Sequence, residues 1–146
     1  MRCSTGSTKP DGETMGWIQT YLAVMAGGAL GVGARMFLAE IITNSFGQHF
    51  PWGTIIVNVS GCFIIGLFTG LTGPDGAFLS SPLVRQVVVI GVLGGFTTYS
   101  SFSLQTIALL ANGEVAYGLA NIALTLVLCL GGTWGGLVLA EALQPK

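Results

Sequence analysis

Charged side chains are scarce in this sequence. Asp, Glu, Lys and Arg make up only 8% of its 146 residues, whereas hydrophobic residues make up 51%. Soluble domains carry about 25% charged residues, and so few charges cannot cover a globule with a polar surface. The composition therefore predicts a membrane protein. Because the net charge is −1, no excess of basic residues is available to bind nucleic acid, and no nucleic-acid partner is expected.

Residues suited to covalent catalysis or metal binding are also few. His49 is the single histidine, and the three cysteines, Cys3, Cys62 and Cys129, have no spacing typical of a metal site. This inventory argues against a histidine-based metal site and a serine-type catalytic triad, and we predict that the protein is not an enzyme. Cys62 and Cys129 lie within apolar runs and are interpreted as small buried residues.

Four long apolar segments dominate the rest of the chain. A helix that spans a bilayer needs about 20 residues, and each segment is long enough: they cover residues 17–42, 52–71, 83–110 and 117–143. The connections between them carry Gly, Pro, Asn or Asp, which favour turns. We predict a polar N-terminal tail over residues 1–15 and a single all-α unit of four transmembrane helices over residues 16–143, with both termini on the same side.

Acidic residues are absent from the centre of every apolar segment. Proton-coupled transport usually depends on an intramembrane carboxylate, and the sequence has no ATP-binding motif either. Passive passage of a solute is therefore favoured over active pumping.

The third segment, from Leu83 to Leu110, is too long for a straight span. As a continuous helix it would measure about 42 Å, whereas the hydrocarbon core is about 30 Å thick. Its middle reads GGFTTYSSFS over residues 94–103. Glycine accepts strained dihedral angles and threonine hydroxyls can bond freed carbonyls, so a break between Gly94 and Thr98 is one interpretation. The other is a tilted or tightly packed unbroken helix whose hydroxyls bond to the preceding turn.

Glycines recur four residues apart along the segments. This spacing lets helix backbones approach closely, and it occurs at Gly27/Gly31, Gly66/Gly70, Gly91/Gly95, Gly131/Gly135 and Gly132/Gly136. Because a four-helix unit of this size has little interior of its own, we also predict a homodimer.

Polar residues lie within the apolar segments. Arg35 could snorkel to the headgroups or attract an anion at a vestibule, and Glu40 near the same end could partner it. Asn58 could join two helices or offer its amide donors to an anion. Further neutral polar residues are Thr98, Ser100, Ser101, Gln105, Asn121 and Thr125. Together with the positive edges of neighbouring aromatic rings, these donors suit a small anion better than a cation.

Three segments of the chain, GGALGVGAR, PWGTIIVNVSG and GGFTTYSSFS, resemble segments of the Fluc (CrcB-type) fluoride channel family, in the same order and spacing between Gly27 and Gly136. The resemblance implies four-helix subunits that form an antiparallel, dual-topology homodimer in the inner membrane. It also implies a third helix broken at mid-membrane, one central structural Na⁺, and two pores that conduct F⁻ passively out of the cell and lower cytoplasmic fluoride.

The same resemblance assigns roles to individual residues. The backbone carbonyls of Gly94 and Thr97 would hold the Na⁺, and Asn58 would line the pore. The remaining residues matched to the fluoride path are Tyr99, Phe102, Ser100, Ser101, Arg35, Asn121 and Thr125. Tyr99 stands where the family usually has Phe, and Gln105 stands where some members have Glu.

Two other functions compete with a fluoride channel. A small multidrug transporter, which is proton-coupled, also has four helices and dual topology, but it would need a first-span Glu that this sequence lacks. A structural membrane subunit without conductance is the third reading. The charges Arg2, Lys9, Arg85 and Lys146 flank the side of the termini and Arg35 the other, a bias that favours a single orientation under the positive-inside rule.

Overall fold

The computed structural model describes residues 11–73 and 80–144 of the chain, and every regular element in these ranges is a helix. Four stretches are long and apolar enough to cross a membrane: Gly16–Phe46, Trp52–Thr72, Pro82–Ala111 and Val115–Ala142. The prediction of four transmembrane helices is confirmed to this extent. The first helix, α1 (Asp11–Phe46), begins inside the predicted polar tail, and residues 1–10 of that tail lie outside the described residues.

The third span is made of several pieces. Helix α2 (Trp52–Thr72) precedes it and α6 (Val115–Ala142) follows it. The span itself consists of α3 (Pro82–Gln86), a π-helical stretch (Val87–Leu93), the single turn α4 (Gly94–Phe96) and α5 (Tyr99–Ala111). The wider turns of a π-helix often occur beside functional sites, and no sequence pattern predicted this one.

Glycines with positive φ end two of the helices. Gly47 (φ 85°) follows α1, and Gly113 (φ 80°) follows α5. At the second turn the Glu114 amide donates to the Leu109 carbonyl at 2.9 Å, a bond characteristic of glycine-terminated helices. Glycine is the residue that adopts this left-handed conformation at little cost, so the predicted turns after the first and third spans form where the sequence places them. Residues 74–79 of the connection between the second and third spans lie outside the described residues.

Glycines also bring helices together within the chain. A Cβ on Gly66 of α2 would collide with the Thr133 carbonyl of α6, and one on Gly136 would collide with the Phe63 carbonyl. On the other side of the molecule, a Cβ on Gly91 would stand 2.7 Å from the Val24 carbonyl. The recurring glycines therefore serve close packing of α2 on α6 and of α1 on the third span. Gly131 and Gly135 are different, since a Cβ on either has no neighbour within 4 Å.

The break in the third span lies at two threonines. Thr97 (φ −80°, ψ 157°) and Thr98 (φ −149°, ψ 110°) are extended, whereas Gly94 (φ −65°, ψ −36°) is helical. A broken third helix is thus present, but its extended residues are β-branched ones, which favour such dihedral angles. The expectation that Gly94 itself has a strained backbone is wrong.

The distribution of polarity is inverted relative to a soluble protein. Large apolar side chains point outward, with Met25 67%, Leu104 73% and Leu130 72% exposed, while Asn121 is completely buried. Such a surface suits hydrocarbon rather than water. The chain is a multi-pass membrane protein whose polar side chains collect inside.

Candidate functional site

A cavity of about 330 Å³ lies beside the break, between α2, the third span and α6. Six of the predicted site residues border it: Gly94, Thr97, Asn58, Tyr99, Phe102 and Thr125. Ser100, Ser101, Asn121 and Arg35 do not border it. None of the described residues that line this cavity is charged, and its polar groups are amide and hydroxyl groups on otherwise apolar walls.

Asn58 holds the extended backbone of the third span by two hydrogen bonds. Its Nδ2 donates to the Thr98 carbonyl at 3.0 Å, and its Oδ1 accepts from the Thr98 amide at 2.7 Å. An unbroken helix would direct the Thr98 amide to the Gly94 carbonyl. Asn58 is buried and takes over that amide, so the Gly94 carbonyl loses its helical donor. Because Nδ2 carries two hydrogens, one remains for a group in the cavity.

Thr98 performs the same replacement on the other side of the break. As the N-cap of α5, its hydroxyl accepts from the Ser101 amide at 3.2 Å and donates to the Ser101 hydroxyl at 3.0 Å. The Ser101 amide would otherwise serve the Thr97 carbonyl. The Ser100 hydroxyl also lies 3.2 Å from that of Thr98, so both serines are engaged with the cap.

The carbonyl oxygens of Gly94 and Thr97 are therefore among the backbone oxygens at the break that lack their helical donors. The rest of Thr97 is fixed, since its amide and its hydroxyl both donate to the Leu93 carbonyl at 3.0 Å. Its methyl group fills the space above Gly61, where a Cβ would collide with it. Unwound carbonyls at membrane depth are suited to holding a small alkali cation, so these two oxygens fit a Na⁺ site.

The two aromatic residues after the break differ in burial. Tyr99 and Phe102 have ring centroids 5.4 Å apart at an interplanar angle of 52°. Phe102 is 6% exposed, whereas Tyr99 is 76% exposed in the single chain. Phe102 thus belongs to the wall of the cavity, and Tyr99 stands at its edge and extends away from the subunit.

Asn121 connects α6 to α5 instead of facing the cavity. Its Nδ2 donates to the Thr106 hydroxyl at 2.8 Å, and that hydroxyl donates to the Phe102 carbonyl at 2.7 Å. The Thr125 hydroxyl lies 3.5 Å from Asn121 Oδ1 and borders the cavity. Sequence reasoning missed Thr106, although it lies one helical turn after Phe102 and therefore on the same face of α5. This buried network positions the Phe102 backbone.

Arg35 lies on α1, half-buried and away from the cavity. The prediction that Glu40 pairs with it is wrong, because in the described residues the one contact between a basic and an acidic side chain joins His49 Nε2 and Glu114 Oε2, 4.0 Å apart. Residues five apart on a helix are turned by about 140° from one another, so Arg35 and Glu40 point in different directions.

A second cavity, of about 530 Å³, lies where α1 ends and α2 begins. Thr54 borders it one turn before Asn58, so the two cavities follow each other along α2. His49, Glu114 and Gln105 also border it, and the Oε1 atom of Gln105 is buried without a hydrogen-bond partner. Sequence reasoning placed Gln105 among the polar donors but did not anticipate this space around it.

These features define a class: a multi-pass membrane protein of four spans with an interrupted third span and, beside the interruption, a mainly apolar cavity bordered by a few amide and hydroxyl groups. Comparisons with known proteins identify the family within this class. Residues 22–137 match the family described as CrcB-like protein, Camphor Resistance (CrcB), and the chain belongs to this family.

Curated relatives resemble almost the whole chain. A protein of Rhodospirillum rubrum is 50% identical over 117 residues, covering 80% of this chain and 91% of the relative. Relatives from Methylocella silvestris and Opitutus terrae are each 48% identical over 124 residues, covering 85% of this chain and 95% and 94% of the relatives. All three are named "Fluoride-specific ion channel FluC". This membership does not favour the small multidrug transporter.

Proposed function

We propose that this protein is a fluoride channel of the cell (inner) membrane that lets F⁻ leave the cytoplasm passively. Its similarity to proteins named as fluoride-specific ion channels supports this function. The observation that carries it is the cavity beside Asn58, where a buried amide retains one free N–H in a space with no charged side chain.

Beside the freed carbonyls of Gly94 and Thr97, the cavity offers donor groups to a passing anion. Asn58 contributes its remaining N–H, and the edge of the Phe102 ring carries positive charge. The Thr125 hydroxyl borders the same space, although its hydrogen is directed to Asn121 Oδ1. The amino-terminal end of α5 also faces the break, and a helix amino terminus attracts anions. A small anion such as F⁻ is stabilised by these groups, whereas a cation finds no carboxylate there. Because no lining residue is acidic, we infer a channel without proton coupling and not an enzyme.

A second copy of the chain completes the site in this proposal. Gly94, Tyr99 and Ser100 are exposed in the single chain, although they flank an interrupted helix in the middle of a span. Broken backbone at membrane depth is tolerated only when protein or a water-filled cavity covers it. We infer that an antiparallel partner covers this face and that each subunit contributes one fluoride path.

The freed carbonyls of Gly94 and Thr97 are the residues of this chain that would hold a structural Na⁺. When bound between two subunits, the ion would supply positive charge to oxygens that have lost their helical donors. Asn58 would then have two roles, because the same side chain that frees the Gly94 carbonyl also presents an N–H to the fluoride path.

The decisive experiment is fluoride efflux from liposomes that contain the purified protein, with chloride efflux as the control. We expect fluoride to leave and chloride to remain. Efflux of neither ion would support a subunit without conductance, and drug-dependent proton release would support the multidrug transporter.

Orientation is tested separately with Asn44→Cys in a chain without its native cysteines. Asn44 is exposed at the end of α1 and borders neither cavity. We expect a membrane-impermeant thiol reagent to label it from both sides of the membrane in a cell population. Labelling from one side alone would refute the antiparallel dimer and agree with the bias of Lys and Arg.

A further inference from the structure

Cys62 on α2 and Cys129 on α6 occupy matching positions in the contact between these helices. Further along the contact, a Cβ on Gly66 would collide with the Thr133 carbonyl, and a Cβ on Gly70 would collide with the Ala140 side chain and lie 3.6 Å from that of Leu137. The two helices therefore run parallel in register, each step of four residues on α2 meeting a step of four on α6. Moving one turn back from Gly66 and Thr133 leads to Cys62 and Cys129, which lie on the same helix faces.

Both cysteines also border the cavity beside the break. They are free thiols, half-buried, and they line the same 330 Å³ space as Asn58 and Thr125. The register of the two helices and the shared cavity together place the two thiols face to face, one turn from the polar groups of the fluoride path.

We propose that Cys62 and Cys129 form a binding site for a soft divalent metal ion, with Hg²⁺ as its probe, and that occupancy obstructs the fluoride path. Each thiol loses its proton to water, two S–H bonds break and two S–Hg bonds form. The product is electrically neutral, which suits a position inside a membrane where net charge is costly. Soft thiolate ligands select soft metals, so the chemistry of the pair matches this class of ion.

Harder or higher-coordinate metals do not fit the same place. Zn²⁺ in structural sites takes four ligands, and among the described residues no group of three or more His, Cys, Asp or Glu side chains is close enough to hold a metal. A two-coordinate dithiolate is the arrangement that the pair supports, and selectivity for Hg²⁺ over Zn²⁺ follows from it.

Binding is tested on the full chain carrying Cys3→Ser, so that Cys62 and Cys129 are the only thiols. After exposure to HgCl₂ and a wash with a monothiol, intact mass is expected to show one mercury per chain and no reaction with a maleimide. Cys62→Ser and Cys129→Ser are the matched controls, and each is expected to lose its mercury in the same wash. Equal retention by a single-cysteine variant, or retention of Zn²⁺ by the pair, would overturn the site.

Fluoride efflux then tests the effect on the path, which rests on the proposed function. Bridged Cys3→Ser protein is expected to lose most of its efflux and to recover it with a dithiol, whereas both serine variants, treated with HgCl₂ and washed with the monothiol, keep the efflux that each had before treatment. If bridged protein conducts normally, the obstruction is refuted. If the untreated protein conducts no fluoride, the proposed function fails, while the mass measurement still decides whether the thiol pair binds the metal.

Discussion

The α2–α6 contact and the break in the third span satisfy backbone hydrogen bonding without water in two different ways. In the contact both helices are uninterrupted, and glycines such as Gly66 bring backbone against backbone. At the break the amides of Thr98 and Ser101 leave the helical pattern, and the side chains of Asn58 and Thr98 bond them instead. An unsatisfied backbone group in hydrocarbon costs several kcal/mol. At the break, polar side chains therefore replace the helical hydrogen bonds, whereas in the contact the helical bonds persist and glycines allow the close approach.

The largest effect is expected from Asn58→Asp, which breaks the bonding at the interruption. A carboxylate has no N–H for the Thr98 carbonyl or for an anion, and two negative charges about 4 Å apart repel by about 4 kcal/mol at an intermediate dielectric constant. Fluoride efflux should fall about a thousandfold, while the protein still elutes as a folded helical species. A well-folded Asn58→Asp protein with normal efflux would contradict the assignment of Asn58 to the path.

The α2–α6 contact should fail when a single methyl group is added at Gly66. The new Cβ of Gly66→Ala collides with the Thr133 carbonyl, which belongs to a rigid backbone. We expect a loss of about 3 kcal/mol, typical of severe overpacking, seen as a lower melting temperature.

Gly135→Ala is the matched control for that change. It adds the same methyl group to α6 where nothing lies within 4 Å, and alanine favours the helix over glycine by up to about 1 kcal/mol. Its melting temperature should stay unchanged or rise. If both variants are equally destabilised, close approach of α2 to α6 is not the reason.

A smaller effect is expected from Asn121→Ala, which removes the link from α6 to α5. Thr106 loses a donor, and the buried network behind Phe102 is left incomplete, at a cost of about 1–3 kcal/mol. Fluoride efflux should decrease but persist, because Asn121 does not border the cavity. Thr133→Val is the control, since its hydroxyl bonds within its own helix alone. A complete loss of efflux by folded Asn121→Ala would instead place Asn121 on the path.

The smallest effect concerns Na⁺ at the break. An ion that binds only the folded dimer stabilises it by up to about 2.7 kcal/mol at 100 times its Kd, so the melting temperature should be a few degrees higher in Na⁺ than in K⁺ at equal ionic strength. The protein must be purified without Na⁺ so that a slowly released ion is absent. A melting temperature that is the same in both salts would refute the site.

Gly94→Val tests whether the effect of Na⁺ on the melting temperature depends on contact with a second subunit. Within the chain Gly94 is helical, and the nearest neighbour of an added Cβ is the Val89 carbonyl at 3.7 Å. The variant should keep the fold of its own chain but pack poorly on the partner, so its melting temperature should not rise when K⁺ is replaced by Na⁺. Thr97→Ser keeps the backbone carbonyl and should retain the increase. An unchanged Na⁺ response of Gly94→Val would contradict the contact with a second subunit.

Hydrophobic runs and turn residues were enough to predict the four spans and their connections. Length and composition decide whether a helix crosses a membrane, and Gly47 and Gly113 end helices by their own conformational freedom. Motif resemblance also singled out Asn58, Phe102 and Thr125, which the structure brings to one cavity. These properties are local in the chain, or repeat along it, and can therefore be recognised without knowing which helices are neighbours.

The partners of each polar side chain were decided by tertiary structure. Asn58 and Thr98 are 40 residues apart, and their two hydrogen bonds exist because α2 packs beside the break. The same packing placed the extended residues at Thr97 and Thr98 rather than at Gly94, turned Asn121 toward Thr106, and set Cys62 opposite Cys129. The sequence by itself determined that this chain enters a membrane as four helices, because the length and hydropathy of each apolar segment depend only on its own residues. Only the folded structure decided where the third helix breaks, because that position depends on a side chain from another helix taking over a backbone amide.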